Sequence, residues 1–297
     1  MDGSVLVTGA DGFVGPHLLA ELGGDGVPLE ADVTDPKALA DGIAAALPRA
    51  VVHLAALSSV ADSWEEGAEV WRVNIVGTVC VLDAVRALAP GARVLVVSTG
   101  QVYGQAEEVP TTEEARIAPL SPYAASKAAA ELACGQAARD GLDVVIARAF
   151  QHEGPGRDER FAVGSWAAQI ARAEETGGGV VKVGDLSARR DITDVRDVCR
   201  AYALLLDPSV PAGTYNVATG QAVEMQAVLD LLVGLARCPI EVETDPARSR
   251  PTDLALVCGD PSRLRAATGW QPTIPLEQTL ADALEAARAA VTERVKA

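Results

Sequence analysis

Cysteine, histidine and positive charge are all in short supply. Five Cys (Cys80, Cys134, Cys199, Cys238, Cys258) are scattered through 297 residues without a C-x-x-C pair, so neither a zinc centre nor a disulfide framework is expected. Three His (His17, His53, His152) argue against a histidine-built metal site, and no metal is expected. Lys and Arg number 25 against 41 Asp and Glu, a net charge of −16. So acidic a chain is poorly suited to nucleic acid, whose phosphates want a basic stripe, or to an anionic membrane surface. No apolar run approaches the roughly 18 residues of a spanning helix. The N-terminus shows no charged segment leading into an apolar one; Ser4-Val5-Leu6-Val7-Thr8 reads at once as a strand, and a cytoplasmic chain is the expectation. Internal repeats and low-complexity linkers are also missing. What remains is ordinary for a globular protein, 49% hydrophobic and 22% charged, with room for one large α/β domain or two lobes.

Short β-branched runs alternate with Ala/Leu-rich stretches in the first half. Strands are expected at Val5–Thr8, Val27–Ala31, Ala50–Leu54, Val94–Ser98 and Val144–Arg148. Helices are expected between them, at Gly15–Leu22, Pro36–Leu47, Glu66–Leu88 and Pro122–Arg139. That alternation predicts a doubly wound α/β fold, a parallel sheet of Rossmann type covered on both faces. Gly154-Pro155-Gly156 breaks the rhythm. Beyond it the pieces are irregular: a helix at Phe161–Glu175, a strand at Val180–Val183, and helices from Asp194, at Glu224–Ala236 and at Leu276–Arg294. The expected organisation is a dinucleotide-binding domain over 1–150, rejoined by 190–220, and a smaller mixed C-terminal substrate lobe from 151–189 and 221–297.

Gly9-Ala10-Asp11-Gly12-Phe13-Val14-Gly15 fits G-x-x-G-x-x-G between a strand and a helix. The first glycine permits the tight turn, the second lets backbone approach a pyrophosphate, and the third lets helix and strand pack closely. A ribose-binding acid normally follows about 20 residues on, at the end of a second strand. Here only eleven residues separate Gly15 from Val27, so that strand is shortened or missing. Asp32 has the spacing of the ribose acid, 20 residues after Gly12, but Asp32-Val33-Thr34-Asp35-Pro36 also suits an adenine contact or a helix cap. No Lys or Arg lies between Gly15 and Lys37 to meet a 2′-phosphate, which leans to NAD, with NADP possible.

Tyr123-Ala124-Ala125-Ser126-Lys127 places a phenol and an ammonium one helical turn apart. A nearby ammonium lowers a phenol's pKa toward a useful range, giving a general acid or base. Thr99, closing the strand before Gly100-Gln101-Val102-Tyr103-Gly104, offers a hydroxyl to share the proton.

These residues resemble the extended short-chain dehydrogenase/reductase family of NAD(P)-dependent nucleotide-sugar epimerases, dehydratases and reductases. The likeness runs through Thr8-Gly9, His53-Leu54-Ala55-Ala56, Asn74-Ile75-Val76-Gly77-Thr78, Ser98-Thr99, Tyr123 with Lys127, Arg189–Asp197 and Thr268-Gly269-Trp270. Within the family, Ala56–Trp64, Ser121-Pro122-Tyr123, Phe150–Gly156 and Arg250–Asp253 are most similar to GDP-4-keto-6-deoxy-D-mannose reductases. The resemblance implies a catalytic set of Thr99, Tyr123 and Lys127. It implies cofactor contacts from Gly9, Asp11, Gly12, Phe13, Val14, Gly15, Asp32, Val33, Leu54, Ala55, Ala56 and Lys127. It implies sugar-nucleotide contacts from Ser58, Ser59, Thr99, Gly100, Gln101, Tyr123 and Gln151, with Arg190 and Arg250 on the phosphates; Arg189 and Arg248 read as solvated and His152 as structural. Trp64, Phe161 and Trp166 suit either core or pocket.

The chain departs from the family at Gln151, usually Asn, and at Gln101, usually Glu. Dehydratases carry acids just after the Thr; Gly100 and Gln101 cannot act as such proton acceptors. The expected reaction is reduction of a nucleoside-diphosphate 4-keto-6-deoxyhexose. The alternatives are 4-epimerisation, then 4,6-dehydration, then a non-catalytic dinucleotide sensor. The expected partner is the nucleotide sugar, with no nucleic acid and no membrane. A homodimer is expected because related enzymes pair two helices such as Glu66–Leu88 and Pro122–Arg139 into a four-helix bundle.

Overall fold

A computed structural model describes residues 3–248 and 254–296. In chain order the first half runs β1 (Val5–Thr8), α1 (Gly15–Leu22), β2 (Gly26–Leu29), α2 (Pro36–Ala46), β3 (Ala50–His53), α3 (Asp62–Glu65), α4 (Gly67–Trp71), α5 (Gly77–Leu88), β4 (Arg93–Thr99), α6 (Pro122–Arg139) and β5 (Val144–Ala149). The second half runs β6 (Gln151–Glu153), α7 (Ala162–Glu175), β7 (Gly179–Val183), β8 (Arg189–Asp194), α8 (Val195–Leu205), β9 (Gly213–Val217), β10 (Ala222–Glu224), α9 (Met225–Gly234), β11 (Ile240–Thr244), β12 (Leu256–Val257), α10 (Ser262–Thr268) and α11 (Leu276–Lys296).

Six parallel strands form the main sheet in the order β2-β1-β3-β4-β5-β9. The chain steps outward from β1 to β2, then returns to place β3 on the other flank of β1. That reversal opens a crevice beyond the carboxyl ends of β1 and β3, where ligands of such sheets bind. Only one strand lies outside β1, so the shortened second strand is real: β2 is four residues long and forms the edge.

Each sheet face is covered. One apolar layer joins Val5, Val7 and Val52 to Leu18 of α1 and Tyr202 and Leu205 of α8; the other joins Leu6, Val51 and Val94 to Leu39, Val81 and Val85 of α2 and α5. A second layered unit packs α7, α9 and α11 on β7 and β8 through Trp166, Ile170, Val181, Leu229 and Leu280. Here β8 is the centre of a small sheet with β6, β10 and β12, so the segment rejoining the large sheet is α8 and β9 rather than the whole of 190–220. Residues near 264–270 also join the first unit's core through Leu264 and Trp270. No helix among the described residues is long and apolar enough to cross a membrane.

Local signals explain the best-placed helices. Asp35 caps α2, its Oδ1 accepting from the N–H of Lys37 (2.9 Å) and Ala38 (3.1 Å), with Pro36 at the first helical position. Ser121 does the same for α6, accepting from Ala124 N–H at 3.1 Å ahead of Pro122. The expected helix Glu66–Leu88 is interrupted instead. Glu66 leaves helical geometry (φ −107°, ψ 33°), and residues Arg72–Val76 widen into a π-type turn before α5.

Candidate active site

A cavity of about 840 Å³ lies over the carboxyl ends of the sheet, between the two units. The glycine-rich turn forms one wall. Gly9 has φ +64°, and a Cβ there would stand 2.7 Å from the Ala55 backbone; one on Gly15 would stand 2.1 Å from the Ala10 carbonyl oxygen. A Cβ on Gly12 would meet only the Gly9 carbonyl, at 3.3 Å, so that glycine fronts open space. The N–H groups of Phe13 and Val14 have no partner among the described residues and precede the positive end of α1. The cradle fits a dinucleotide pyrophosphate.

The catalytic candidates converge on the same cavity. Tyr123 and Lys127 project from the first turns of α6, whose start is fixed by the Ser121 cap. The Thr99 hydroxyl accepts from Gln101 N–H at 3.2 Å and stands beside the Tyr123 phenol, whose ionised form it favours. Burial pushes Tyr123 up to about 12, so the phenol is neutral; Thr99 and the charge of Arg157, rather than Lys127, favour its ionised form. Lys127 is buried and lowered to about 8 by desolvation, an effect that Glu131, one turn further on, opposes. No protein hydrogen bond to the Lys127 ammonium is found among the described residues. A buried ammonium without a protein acceptor, facing a cavity, suits ribose hydroxyls.

Residues outside the expected set hold this geometry. The Thr78 hydroxyl donates to the Asn74 carbonyl (2.7 Å), so it accepts from His53 Nε2 (3.1 Å). His53 Nδ1 then accepts from the Thr8 hydroxyl at 2.8 Å. Burial holds this imidazole neutral, with its pKa down to about 3. Asn74, turned inward by the π-type widening, accepts from Leu57 N–H (2.9 Å) and donates to Leu57 carbonyl (3.1 Å) and Ser126 Oγ (2.9 Å). It thereby ties the loop after β3 to the catalytic helix. Glu131 takes the Arg148 guanidinium in a bidentate pair (Nη2 to Oε2, 2.6 Å), and Ser98 Oγ donates to it.

The substrate candidates are distributed unequally. Ser58, Ser59, Gly100, Gln101, Gln151 and Arg190 line the cavity. Ser59 caps a turn, accepting from Asp62 N–H at 3.2 Å. Gln151 donates its amide to Glu153 Oε1 at 3.0 Å, so this donor is already engaged. Arg190 donates to the carbonyls of Leu254 (2.6 Å) and Arg189 (3.0 Å). Arg250 lies outside the described residues. Arg248, expected to be solvated, lines the cavity and reaches Ser165 Oγ at 3.2 Å. Phe161, Trp166 and His152 also line it, whereas Trp64 is 56% exposed elsewhere.

Asp32 and Val33 are not among the cavity's lining residues. Asp32 is exposed and accepts from Thr34 N–H and hydroxyl, each at 2.8 Å, bonds that lower its pKa with a smaller contribution from Arg72; Val33 is buried against α5. Leu29 pairs with Thr8, so Glu30 is the first acid past the strand beside β1, and it too lies outside the cavity's lining. Arg157 and Arg160, both missed, sit in a run of alternating charges that reads as solvated surface.

The parallel sheet, the phosphate-cradling turn and the Thr–Tyr–Lys set at one cavity define an enzyme of the extended short-chain dehydrogenase/reductase class, which works with NAD(P). The profile of the family described as GDP-mannose 4,6 dehydratase matches residues 26–283, and the chain belongs to that family. It is 38% identical over 287 residues to GDP-6-deoxy-D-mannose reductase of Pseudomonas aeruginosa, covering 93% of this chain and 94% of the relative. Among solved structures, RMD of Pseudomonas aeruginosa complexed with NADPH superposes with a TM-score of 0.89 at 35% identity, covering 97% and 100% of the two chains. Thermus thermophilus UDP-glucose 4-epimerase with NAD superposes at 0.86 and 28% identity, covering 97% and 99%.

Proposed function

We propose that the chain reduces a nucleoside-diphosphate 4-keto-6-deoxyhexose, a GDP-linked sugar first among them, using NAD(P)H. The observation that carries this is the buried Thr99–Tyr123–Lys127 set beside a glycine at 100 and a carboxamide at 101. The likeness to a reductase over nearly the full length supports it.

The bound dinucleotide would supply a hydride to the ketone carbon. Tyr123 is the proton donor: its phenol, pushed up to about 12, carries its proton at neutral pH and can pass it to the oxygen that becomes the hydroxyl. Thr99, beside Tyr123, steadies the phenolate left behind. Lys127 would hold the nicotinamide ribose, and the N–H groups of Phe13 and Val14 the pyrophosphate. The loop tied by Asn74 carries Ser58 and Ser59 toward the sugar. Nothing at 100 or 101 can remove a second proton, so elimination has no base there.

The lack of any Lys or Arg between Gly15 and Lys37 to meet a 2′-phosphate favours NADH over NADPH. Trp71 (42% exposed), Val79 (37%) and Leu132 (74%) leave an apolar outer face on the adjacent α4, α5 and α6, which supports a homodimer burying these helices. Sedimentation showing only monomer at micromolar concentration would remove the dimer.

The deciding assay offers several 4-keto sugar nucleotides with NADH or NADPH and follows absorbance and product. Net oxidation of the cofactor with one new hydroxyl is expected. Interconversion of an unoxidised sugar nucleotide without net cofactor change would replace reduction by epimerisation. Tyr123→Phe should bind cofactor nearly as well as the parent and lose about 10²-fold or more in rate; full activity in that variant would remove Tyr123 as the donor.

A further inference from the structure

Arg157 follows Gly154-Pro155-Gly156 in the loop between β6 and α7, and its surroundings differ from those of Arg160, Arg190 and Arg248 at the same cavity. Its guanidinium carbon lies 3.7 Å from the Phe161 ring centroid and 4.7 Å from that of Phe13. One ring belongs to the glycine-rich turn and the other to the residue before α7, so the guanidinium is clamped between the two units. The side chain is only 12% exposed. Behind it stands Glu153, wholly buried, with Oε2 3.4 Å from Arg157 Nε. Neither of those two atoms makes a hydrogen bond among the described residues. No hydrogen bond from either terminal nitrogen of Arg157 is found among the described residues.

The neighbouring arginines are tied down differently. Arg160 is 61% exposed and bonded to Asp158, and Arg248 is 42% exposed beside Asp245. Arg190 is held by two backbone carbonyls.

We propose that Arg157 reads a phosphate of a diphosphate ligand, its caged guanidinium supplying a preset fork to the anion. Burying a charge is costly unless hydrogen bonds satisfy it, and a carboxylate 3.4 Å away satisfies none of five N–H donors. The rings fix orientation and add cation–π attraction without competing for the donors. Burial raises the pKa of Glu153 and Arg157 opposes that rise; to the extent that it is ionised, Glu153 offsets the guanidinium charge while leaving the fork available. A planar fork matches two phosphate oxygens at once. The proposal rests on the reading of this cavity as a dinucleotide and sugar-nucleotide site. Both ligands carry a diphosphate, and Arg157 stands between the Phe13 turn and the second unit, so the shared chemistry is the diphosphate.

Titration calorimetry on the full chain separates the two sources. NADH is titrated into free protein; GDP, UDP, guanosine and uridine are titrated into protein saturated with cofactor. Arg157→Met keeps the side-chain length between the rings and removes the fork. It should weaken either NADH or nucleoside-diphosphate binding by about 10- to 100-fold while leaving the nucleosides unchanged. A loss for NADH assigns the dinucleotide pyrophosphate; a loss for GDP or UDP alone assigns the sugar-nucleotide diphosphate. Arg157→Lys should restore only part of the loss. Glu153→Gln, which keeps Arg157 and removes the opposing charge, should tighten the same ligand, an effect a purely structural role does not produce. Wild-type-like binding of every ligand by Arg157→Met, or equal losses for GDP and guanosine, overturns the inference and leaves the functional reading standing. A wild-type protein that binds neither NADH nor any nucleoside diphosphate overturns both.

Discussion

Glu131→Leu tests whether the catalytic helix is anchored by a buried charge pair. Glu131 and Arg148 have side chains 5% and 7% exposed, and Arg148 donates to both carboxylate oxygens, Nε to Oε1 and Nη2 to Oε2. Removing the carboxylate leaves Arg148 with the Tyr103 hydroxyl (2.8 Å) and the Glu113 carbonyl (3.2 Å), two neutral acceptors for a buried charge. Breaking one side of such a pair costs about 3–5 kcal/mol, a large share of the roughly 5–15 kcal/mol that holds a domain together. Arg148→Met should cost a similar amount. The double variant removes both charges and leaves without its partner only the Ser98 hydroxyl and the part-buried Glu113 carbonyl, Tyr103 still donating to Asn216 (2.7 Å), so it should cost clearly less than the sum of the singles. Urea unfolding without ligand gives each value by linear extrapolation, provided the slope is unchanged. Singles costing under about 1 kcal/mol, or a double equal to the sum, would refute the pair as a coupled unit.

His53 gives a pH prediction. Its folded pKa of about 3 lies below the unfolded value near 6.5, so the unfolded chain binds the extra proton between them; its contribution to stability is full above pH 6.5 and falls with pH below it. The loss from pH 6.5 to 5 is about 1.5 kcal/mol, and the difference in urea midpoints across that interval should shrink in His53→Asn. An unchanged difference would count against a neutral buried imidazole. Lys127 gives another: NADH affinity should fall as pH rises through about 8 or somewhat above, and Lys127→Met should flatten that dependence. Equal slopes in the two proteins would mean that the ammonium does not hold the cofactor.

Local chemistry decided what could be read in advance. Helices Gly15–Leu22 and Pro122–Arg139 have the expected limits because glycine, proline and a serine cap mark them in the chain itself. The expected strand Val27–Ala31 ends two residues early, at Leu29, because β2 extends only as far as its pairing with β1, which stops at Thr8. The break at Glu66 and the π-type turn at Arg72–Val76 carry no local signal; they serve Asn74, whose partners Leu57 and Ser126 are distant in sequence. The environment of Asp32 depends in the same way on Arg72, brought to Thr34 from the far side of β3. Tyr123 and Lys127 were legible as an i,i+4 pair, but the cation favouring the phenolate, Arg157, comes from another unit of the structure. Periodicity reports which face of an element is buried; it does not report which loops meet above the sheet.

The proposed preference for reduction over elimination has a steric basis at position 100. A Cβ on Gly100 would lie 2.8 Å from the Phe150 ring, and one on Gly259 would lie 2.4 Å from the same ring. Phe150 is thus wedged between two glycines and packed against Tyr103, with ring centroids 6.3 Å apart, so it cannot swing away to admit a side chain. An acid at 100 is therefore excluded by packing and not merely missing. Position 101 is different: Gln101 is exposed in the cavity and its backbone is held by Thr99, so a carboxylate could stand there without disturbing the fold. Gln and Glu have nearly the same shape, and what separates them is whether the group can accept a proton. The chain keeps the shape and gives up the base, which leaves Tyr123 beside Thr99 as the proposed proton donor, the minimum that ketone reduction requires.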